Sequence, residues 1–265
     1  MSIFSKEALQ DQHIIITGAT GGIGYEVAKE IVRCGGHVTV TGRNEEKLAA
    51  LKEECATINE DAKVAVVVAD LNEDGGRQQI VSQARNEIGD ITGLVNSAGI
   101  IGGGPLDQLT EEELRKVMEL NFFSTILFTQ AVYEHMKKKG GSIVNLSSLS
   151  GLRGTHGNTA YSGSKFAITG FTQSFAYEAI EYGIRVNAVC PGYVDTSMGQ
   201  EAIRSKGERE GRSYEEQREL AEQGIPSSRL STPEEVARSI VYLLTDASEN
   251  IIGESLKISG GSVMR

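Results

Sequence analysis

Tryptophan is absent from this 265-residue chain, proline occurs 4 times and cysteine 3 times. Cys34, Cys55 and Cys190 are far apart and form no Cys-x-x-Cys pair, which excludes a disulfide framework and a thiolate metal site. The histidines, His13, His37, His135 and His156, never fall three to five residues apart, so no metal centre is expected. No stretch approaches the roughly 20 apolar residues of a membrane span, and residues 1–10 lack the apolar centre of a signal peptide. The expectation is a cytoplasmic protein without membrane association. Positive charge is short as well: 26 Lys and Arg against 36 Asp and Glu leave a net charge of −10, a field that repels phosphate backbones and argues against a nucleic-acid partner.

Glycine, by contrast, is abundant at 31 residues, which suits many strand-to-helix turns. Seven β-branched runs recur, at 14–16, 38–40, 64–68, 91–95, 143–146, 186–189 and 256–258, continuous rather than alternating. Continuous apolar runs mark strands buried on both faces, as in a parallel sheet whose crossover helices cover both sides. Helix signals lie between them. Thr110 with Glu113, Ser213 with Glu216, and Thr232 with Pro233 and Glu235 read as capping boxes. Gly35, Gly140 and Gly183 read as stops. The alternation predicts an α/β fold, a Rossmann-like doubly wound seven-stranded parallel sheet in three α/β/α layers, as one domain over 1–265. Residues 198–230 break the rhythm, being polar with almost no apolar stripe. They are expected to form polar helices with little to bury, either a substrate flap or surface decoration.

After the first run comes Thr17-Gly18-Ala19-Thr20-Gly21-Gly22-Ile23-Gly24, then a helical sequence. A glycine turn brings backbone N–H groups and a helix N-terminus against a pyrophosphate. The spacing is Gly-x-x-x-Gly-x-Gly with no following Gly-Lys-Ser/Thr, against a nucleotide-hydrolysing P-loop. Past the second run stand Arg43 and Asn44 where an NAD-preferring site would carry a carboxylate; a guanidinium there suits the 2′-phosphate of NADPH, although it could instead stack on adenine or face solvent. Asp70 and Leu71 follow the third run, and Asn96, Ser97, Ala98 and Gly99 the fourth, so a ligand can lie across the carboxyl edge of the sheet. Tyr161 and Lys165, four apart on a helix, can form an acid, because a neighbouring cation favours phenolate. Ser148, just past the fifth run, can polarise a carbonyl oxygen. It does not sit in Gly-x-Ser-x-Gly, which argues against a serine hydrolase.

Taken in order, Thr17-Gly-x-x-x-Gly-x-Gly24, Asp70, Asn96-x-Ala-Gly99, Asn121, Ser148, Tyr161-x-x-x-Lys165 and Pro191-Gly192 resemble the short-chain dehydrogenase/reductase family over essentially the whole chain. The resemblance implies that Tyr161 donates a proton, Ser148 orients the substrate carbonyl, Lys165 binds the nicotinamide ribose and lowers the phenol pKa, and Asn121 holds a relay water. It further implies cofactor contacts from Gly18, Thr20, Gly22, Ile23, Gly24, Arg43, Asn44, Asp70, Leu71, Asn96, Ala98 and Gly99, and, at the nicotinamide, from Pro191, Gly192, Val194 and Thr196. Ser97 and Ser259 depart from the usual Asn and Asp. Gly102-Gly103-Gly104 and the 187–196 segment look like β-ketoacyl and polyketide ketoreductases within the family. The implied activity is NADPH-dependent reduction of a small-molecule ketone, with a homo-oligomer, dimer or tetramer, built on the helices carrying Asn121 and Tyr161. A dehydrogenase of a sugar, steroid or small alcohol using NAD(P), and a non-catalytic NADP sensor, stay open. Arg204, Lys206, Arg209 and Arg212 in the polar segment face the same choice, between an anionic ligand and a solvated helix face shared with Glu201, Glu208 and Glu210.

Overall fold

Seven parallel strands, in the order β3-β2-β1-β4-β5-β6-β7, run through the computed structural model, which describes residues 3–264. They are β1 (His13–Thr17), β2 (His37–Gly42), β3 (Val64–Val68), β4 (Gly93–Asn96), β5 (Gly141–Leu146), β6 (Ile184–Pro191) and β7 (Ser255–Ile258). The fourth starts two residues later than its apolar run: Ile91 is buried in the core, and pairing with β1 begins only at Gly93. Every connection is a crossover, so the continuous apolar runs are explained: Ile14 and Ile16 of β1 enter one core and Ile15 the other.

Helices α1 (Gly22–Arg33), α2 (Glu45–Ile58) and α9 (Pro233–Leu244) cover the first face. Val27, Ala28, Ile31 and Val32 of α1 are spaced to present one apolar stripe to Val38, Val40 and the α9 residues Ile240 and Val241. The second face carries α3 (Asp74–Glu87), α5 (Ser124–Met136) and α6 (Thr159–Ala179), whose Ile80, Phe128, Val132 and Phe175 meet Leu94, Ile143 and Val186. Two helix-covered faces, open only at the edge strands β3 and β7, make one three-layer domain.

All three expected capping boxes form: Thr110 starts α4 (Glu111–Met118), Ser213 starts α8 (Tyr214–Gln223) and Thr232 starts α9, each with its glutamate bonded back. Gly35 and Gly183 stop helices in the left-handed region, at φ +84° and +67°. Cys34, Cys55 and Cys190 are buried thiols. His13 Nδ1 donates to Gly89 O, its Nε2 shares a hydrogen bond with Thr39 Oγ1, and burial lowers its pKa to about 4. Among the described residues no helix is long and apolar enough to cross a membrane, and no cluster of His, Cys, Asp or Glu could hold a metal ion.

The polar segment departs from expectation. Its helices α7 (Ser197–Arg209) and α8 close on a core of their own, Ile203, Ile225 and Leu230, flanked by Tyr193, Tyr214 and Ala221. A handful of apolar residues, too sparse to read as a stripe, converge because the two helices fold back on each other and on the loop after β6.

Candidate active site

The carboxyl ends of β1, β2, β3 and β4 open a cleft whose walls include Gly18, Thr20, Arg43, Asp70, Leu71, Ala98 and Gly99, with Gly21, Thr41, Gly42, Ala69, Ser97, Ile100, Leu120 and Met198 completing them. Of these, Ala69, Ile100, Leu120 and Met198 were not singled out in the sequence. Ile100 simply follows Gly99, and Met198 is a lone apolar residue in a polar stretch. Leu120 is brought in by a backbone irregularity that no residue type announces.

The glycine turn works through contact distances. Gly18 has φ +64°, and a β-carbon on it would stand 2.7 Å from the α-carbon of Ala98. The turns after β1 and β4 therefore touch backbone to backbone. Thr17 fastens them, its hydroxyl accepting from the N–H groups of Ser97 and Ala98 at 3.1 and 3.2 Å, while Ser97 Oγ donates to Thr17 O at 2.7 Å. Ser97, a departure from the family pattern, thus holds the turn itself. Helix α1 begins here with no side-chain cap and no acidic residue in its first turn. The starts of α2, α4, α7, α8 and α9 are capped by a side chain, whereas those of α3 and α6, like that of α1, are not. Free N–H groups and the positive end of α1 are left for an anion such as a pyrophosphate, so the residues present fit a dinucleotide. Gly22 and Ile23 form the first turn of α1. A β-carbon on Gly22 would lie 2.6 Å from Thr196 Cγ2, which brings the loop after β6 against the glycine turn.

Other expected contacts are divided. Arg43 is exposed at the rim, on the wall of the cleft. Asn44 caps α2, its Oδ1 accepting from Lys47 N at 2.8 Å. The Asp70 carboxylate accepts from Asn72 N at 3.0 Å. Asn96 turns inward: its Nδ2 donates to Thr129 Oγ1 and Asn145 Oδ1, and Asn145 continues to Thr172. This buried chain commits the Asn96 Nδ2 to tying β4 to β5 and the helices behind them, and leaves its Oδ1 buried without a hydrogen-bond partner. Pro191 ends β6, Val194 is buried and bridged to Ser231, and Thr196 caps α7 by accepting from Gly199 N.

Asn121 lies in a single π-helical turn, Glu119–Phe123, inserted between α4 and α5. Such insertions push one residue out of the regular ladder. The side chain, 1% exposed, clasps the loop after β4: Oδ1 accepts from Ile100 N at 2.8 Å, and Nδ2 donates to Ile100 O and Ser164 Oγ. Both Asn121 Oδ1 and Lys165 Nζ close on Gly99, at 3.2 and 3.6 Å from where its β-carbon would be.

Tyr161 and Lys165 occupy one face of α6, with the ammonium 5.7 Å from the centre of the phenol ring. Burial raises the Tyr161 pKa above its ordinary value, and a hydrogen bond with Ser148 pulls it back. Lys165 is 5% exposed and donates to Leu146 O at 2.7 Å; burial lowers its pKa to about 8. Ser148 thus lowers the phenol pKa through a direct hydrogen bond, with the Lys165 ammonium one helical turn away. Ser148 itself follows β5 and accepts from Ser150 N at 3.1 Å, which holds its hydroxyl toward the crevice.

Residues 12–207 match the model of the short chain dehydrogenases. The chain belongs to that family. It is therefore an oxidoreductase of carbonyl and hydroxyl groups, with a nicotinamide cofactor. It is 34% identical over 253 residues to an acetoacetyl-CoA reductase of an Acinetobacter species, covering 94% of this chain and 97% of the relative. A 3-oxoacyl-acyl-carrier-protein reductase of Chlamydia muridarum is 33% identical over 254 residues, covering 96% and 98%. Among solved structures, an actinorhodin polyketide ketoreductase variant with NADPH is similar at a TM-score of 0.91 and 30% identity, covering 95% of this chain and 97% of that one.

Proposed function

We propose that this family member is an NADPH-dependent carbonyl reductase that turns a ketone into a secondary alcohol, with β-ketoacyl-type compounds as its substrates. The observation that carries the reading is the Ser148 and Tyr161 hydroxyl pair beside a buried Lys165 at the carboxyl edge of the sheet. A ketone oxygen seated between the two hydroxyls accepts a hydrogen bond from Ser148 and the proton from Tyr161. The cofactor, when bound, supplies the hydride to the carbonyl carbon. Lys165 stands one helical turn away, with a pKa near 8 that lets it hold a proton at working pH and hand it toward the phenol.

Gly18, Gly22 and the open start of α1 would hold the pyrophosphate, Asp70 and Leu71 the adenine side, and Thr196 and its loop the nicotinamide. Arg43 supports NADPH over NADH, because it stands free at the cleft rim and no carboxylate from the adjoining turn meets it. An exposed apolar face on α5 and α6, with Phe123 just before α5 and Leu127, Phe166 and Tyr177 on the helices, supports a homo-oligomer.

Ketone-dependent oxidation of NADPH tests the assignment. Tyr161→Phe should lower kcat by about 10² to 10⁴ with cofactor binding intact; retained turnover would remove Tyr161 from the acid role. Arg43→Ala should raise the NADPH KM at least about tenfold and leave the NADH KM nearly unchanged. Equal changes for the two cofactors would refute the preference.

A further inference from the structure

Ion pairing absorbs the cations of the segment above the cleft, with one exception. Arg204 meets Glu201, Lys206 and Arg212 share Glu210, Arg218 is held by Asp195 and Glu222, and Arg229 meets Glu235. Among the described residues Arg209 has neither an ion pair nor a hydrogen bond. Its guanidinium lies over Gly157, where a β-carbon would stand 3.5 Å from Nε and 3.6 Å from Cζ and Nη2. Gly157 is four residues before Tyr161, a span of at most about 14 Å between α-carbons.

Arg209 also forms part of the wall of a cavity of 490 Å³ between α7 and the loop after β4. The opposite wall is Gly103 to Pro105 with Gln108, and Gly103 packs on Ala160, the residue before Tyr161. Two carboxylates share this wall. Glu113 is committed to the Thr110 capping box, where its carboxylate accepts from Thr110 N and Oγ1. Glu208 precedes Arg209 and projects about 100° around the helix from it. A second guanidinium, Arg153, comes from the loop after Ser148, is exposed, and likewise has no ion pair or hydrogen bond among the described residues. Tyr193 senses both: burial raises its pKa, and Arg209 and then Arg153 are the charges that oppose the rise.

We propose that Arg209 and Arg153 form an anion-binding mouth to the active site, and that the physiological ketone carries a carboxylate or phosphate on the tail that leaves through the 490 Å³ cavity. A guanidinium without a carboxylate partner beside a reactive centre is a binding group in waiting, since its planar fork matches either anion. The inference rests on the carbonyl-reductase reading and adds the charge of the substrate to it.

Two matched pairs of ketones separate the possible sources of the anion. The 4′-phosphopantetheine thioester of acetoacetate against its pantetheine thioester isolates phosphate; 3-oxoadipate against its dimethyl ester isolates carboxylate. Wild type should prefer the anionic member of at least one pair by tenfold or more in kcat/KM, and the preference should shrink as salt rises. Arg209→Gln and Arg153→Gln should each lower that preference at least threefold through KM, with the neutral member unchanged; both side chains are exposed, so folding is not at stake. No preference in either pair, or equal losses on charged and neutral members, would overturn the mouth while leaving the reductase standing. Failure to reduce any of the four would overturn both.

Discussion

The two walls of the cleft are made of different material. On the cofactor side, backbone meets backbone: the Gly18 turn lies against Ala98, the hydroxyls of buried Thr17 and half-buried Ser97 fasten it, and α1 presents bare N–H groups. On the flap side, contact is made by long side chains, with Arg218 reaching Asp195 at 2.8 Å and Glu222 at 3.0 Å over a core of three buried residues. A backbone wall tolerates no added atom and is rigid, whereas a wall of ion pairs near the surface can be exchanged pair by pair at little loss. On the proposed function, those two constructions would suit rigid recognition of an invariant cofactor and adjustable recognition of a variable substrate.

The largest expected effect comes from disturbing the backbone wall. Gly18→Ala forces a side chain into a positive-φ position, 2.7 Å from a backbone atom. Strain of this kind costs about 1–3 kcal/mol, which for a chain of this size lowers Tm by roughly 2–12 °C. The Kd for NADPH should rise tenfold or more, because the turn that presents the α1 N-terminus must shift. A variant with unchanged Tm and cofactor affinity, measured by thermal melts and by titration, would mean that this wall is as pliant as the other.

That difference also governs what could be read from residues alone. Gly18, Gly24, Ser148, Tyr161 and Lys165 declare themselves because each needs one residue type at one spacing. Strand burial on both faces declares itself in the unbroken runs. The side-chain duties of Asn44 and Asn96 were not legible: the same amide can contact a ligand, cap a helix or cross-link strands, and only the fold decides that Asn44 caps α2 and Asn96 faces Asn145. Nor was the π-helical turn that carries Leu120 and Asn121 into place, since an inserted residue leaves the apolar periodicity almost unchanged. The flap core was missed because Ile203, Ile225 and Leu230 are scattered among charges and meet only after α7 and α8 fold back.

Lys165 sharpens the comparison at the junction of the walls, where a cation is buried without a carboxylate beside it. Its pKa falls from 10.5 to about 8 on burial, a penalty of about 3 kcal/mol by linkage. Below pH 8 the folded chain bears the whole penalty. Between about 8 and 10.5 the folded lysine releases its proton while the unfolded one keeps it, so the penalty fades as pH rises. Lys165→Met also forfeits the hydrogen bond to Leu146 O, worth about 1 kcal/mol. The variant should therefore melt a few degrees above wild type at pH 7, with the gap closing by pH 10.5, while turnover is lost. A gap that widens with pH would show that burial is not what depresses this lysine.

The smallest effect belongs to the flap wall. Asp195→Asn keeps the shape of the side chain and an acceptor for Gln200, but removes the charge that binds Arg218 through two nitrogens. The two side chains are 36% and 32% exposed, and exposed pairs of this sort contribute about 0.2–1 kcal/mol. Tm should fall by no more than about 4 °C. Because Asp195 belongs to the loop after β6 while Arg218 lies on α8, loosening the pair should act on the ketone more than on the cofactor. We expect a KM for the ketone raised a few-fold, with the NADPH KM nearly unchanged. The Arg218 hydrogen bond holds the Asp195 carboxyl below its usual pKa, so wild type should lose this small advantage only as the pH falls into the acid range, and Asp195→Asn should be insensitive there. A loss as large as that of Gly18→Ala, or one carried by the NADPH KM, would erase the distinction between the walls.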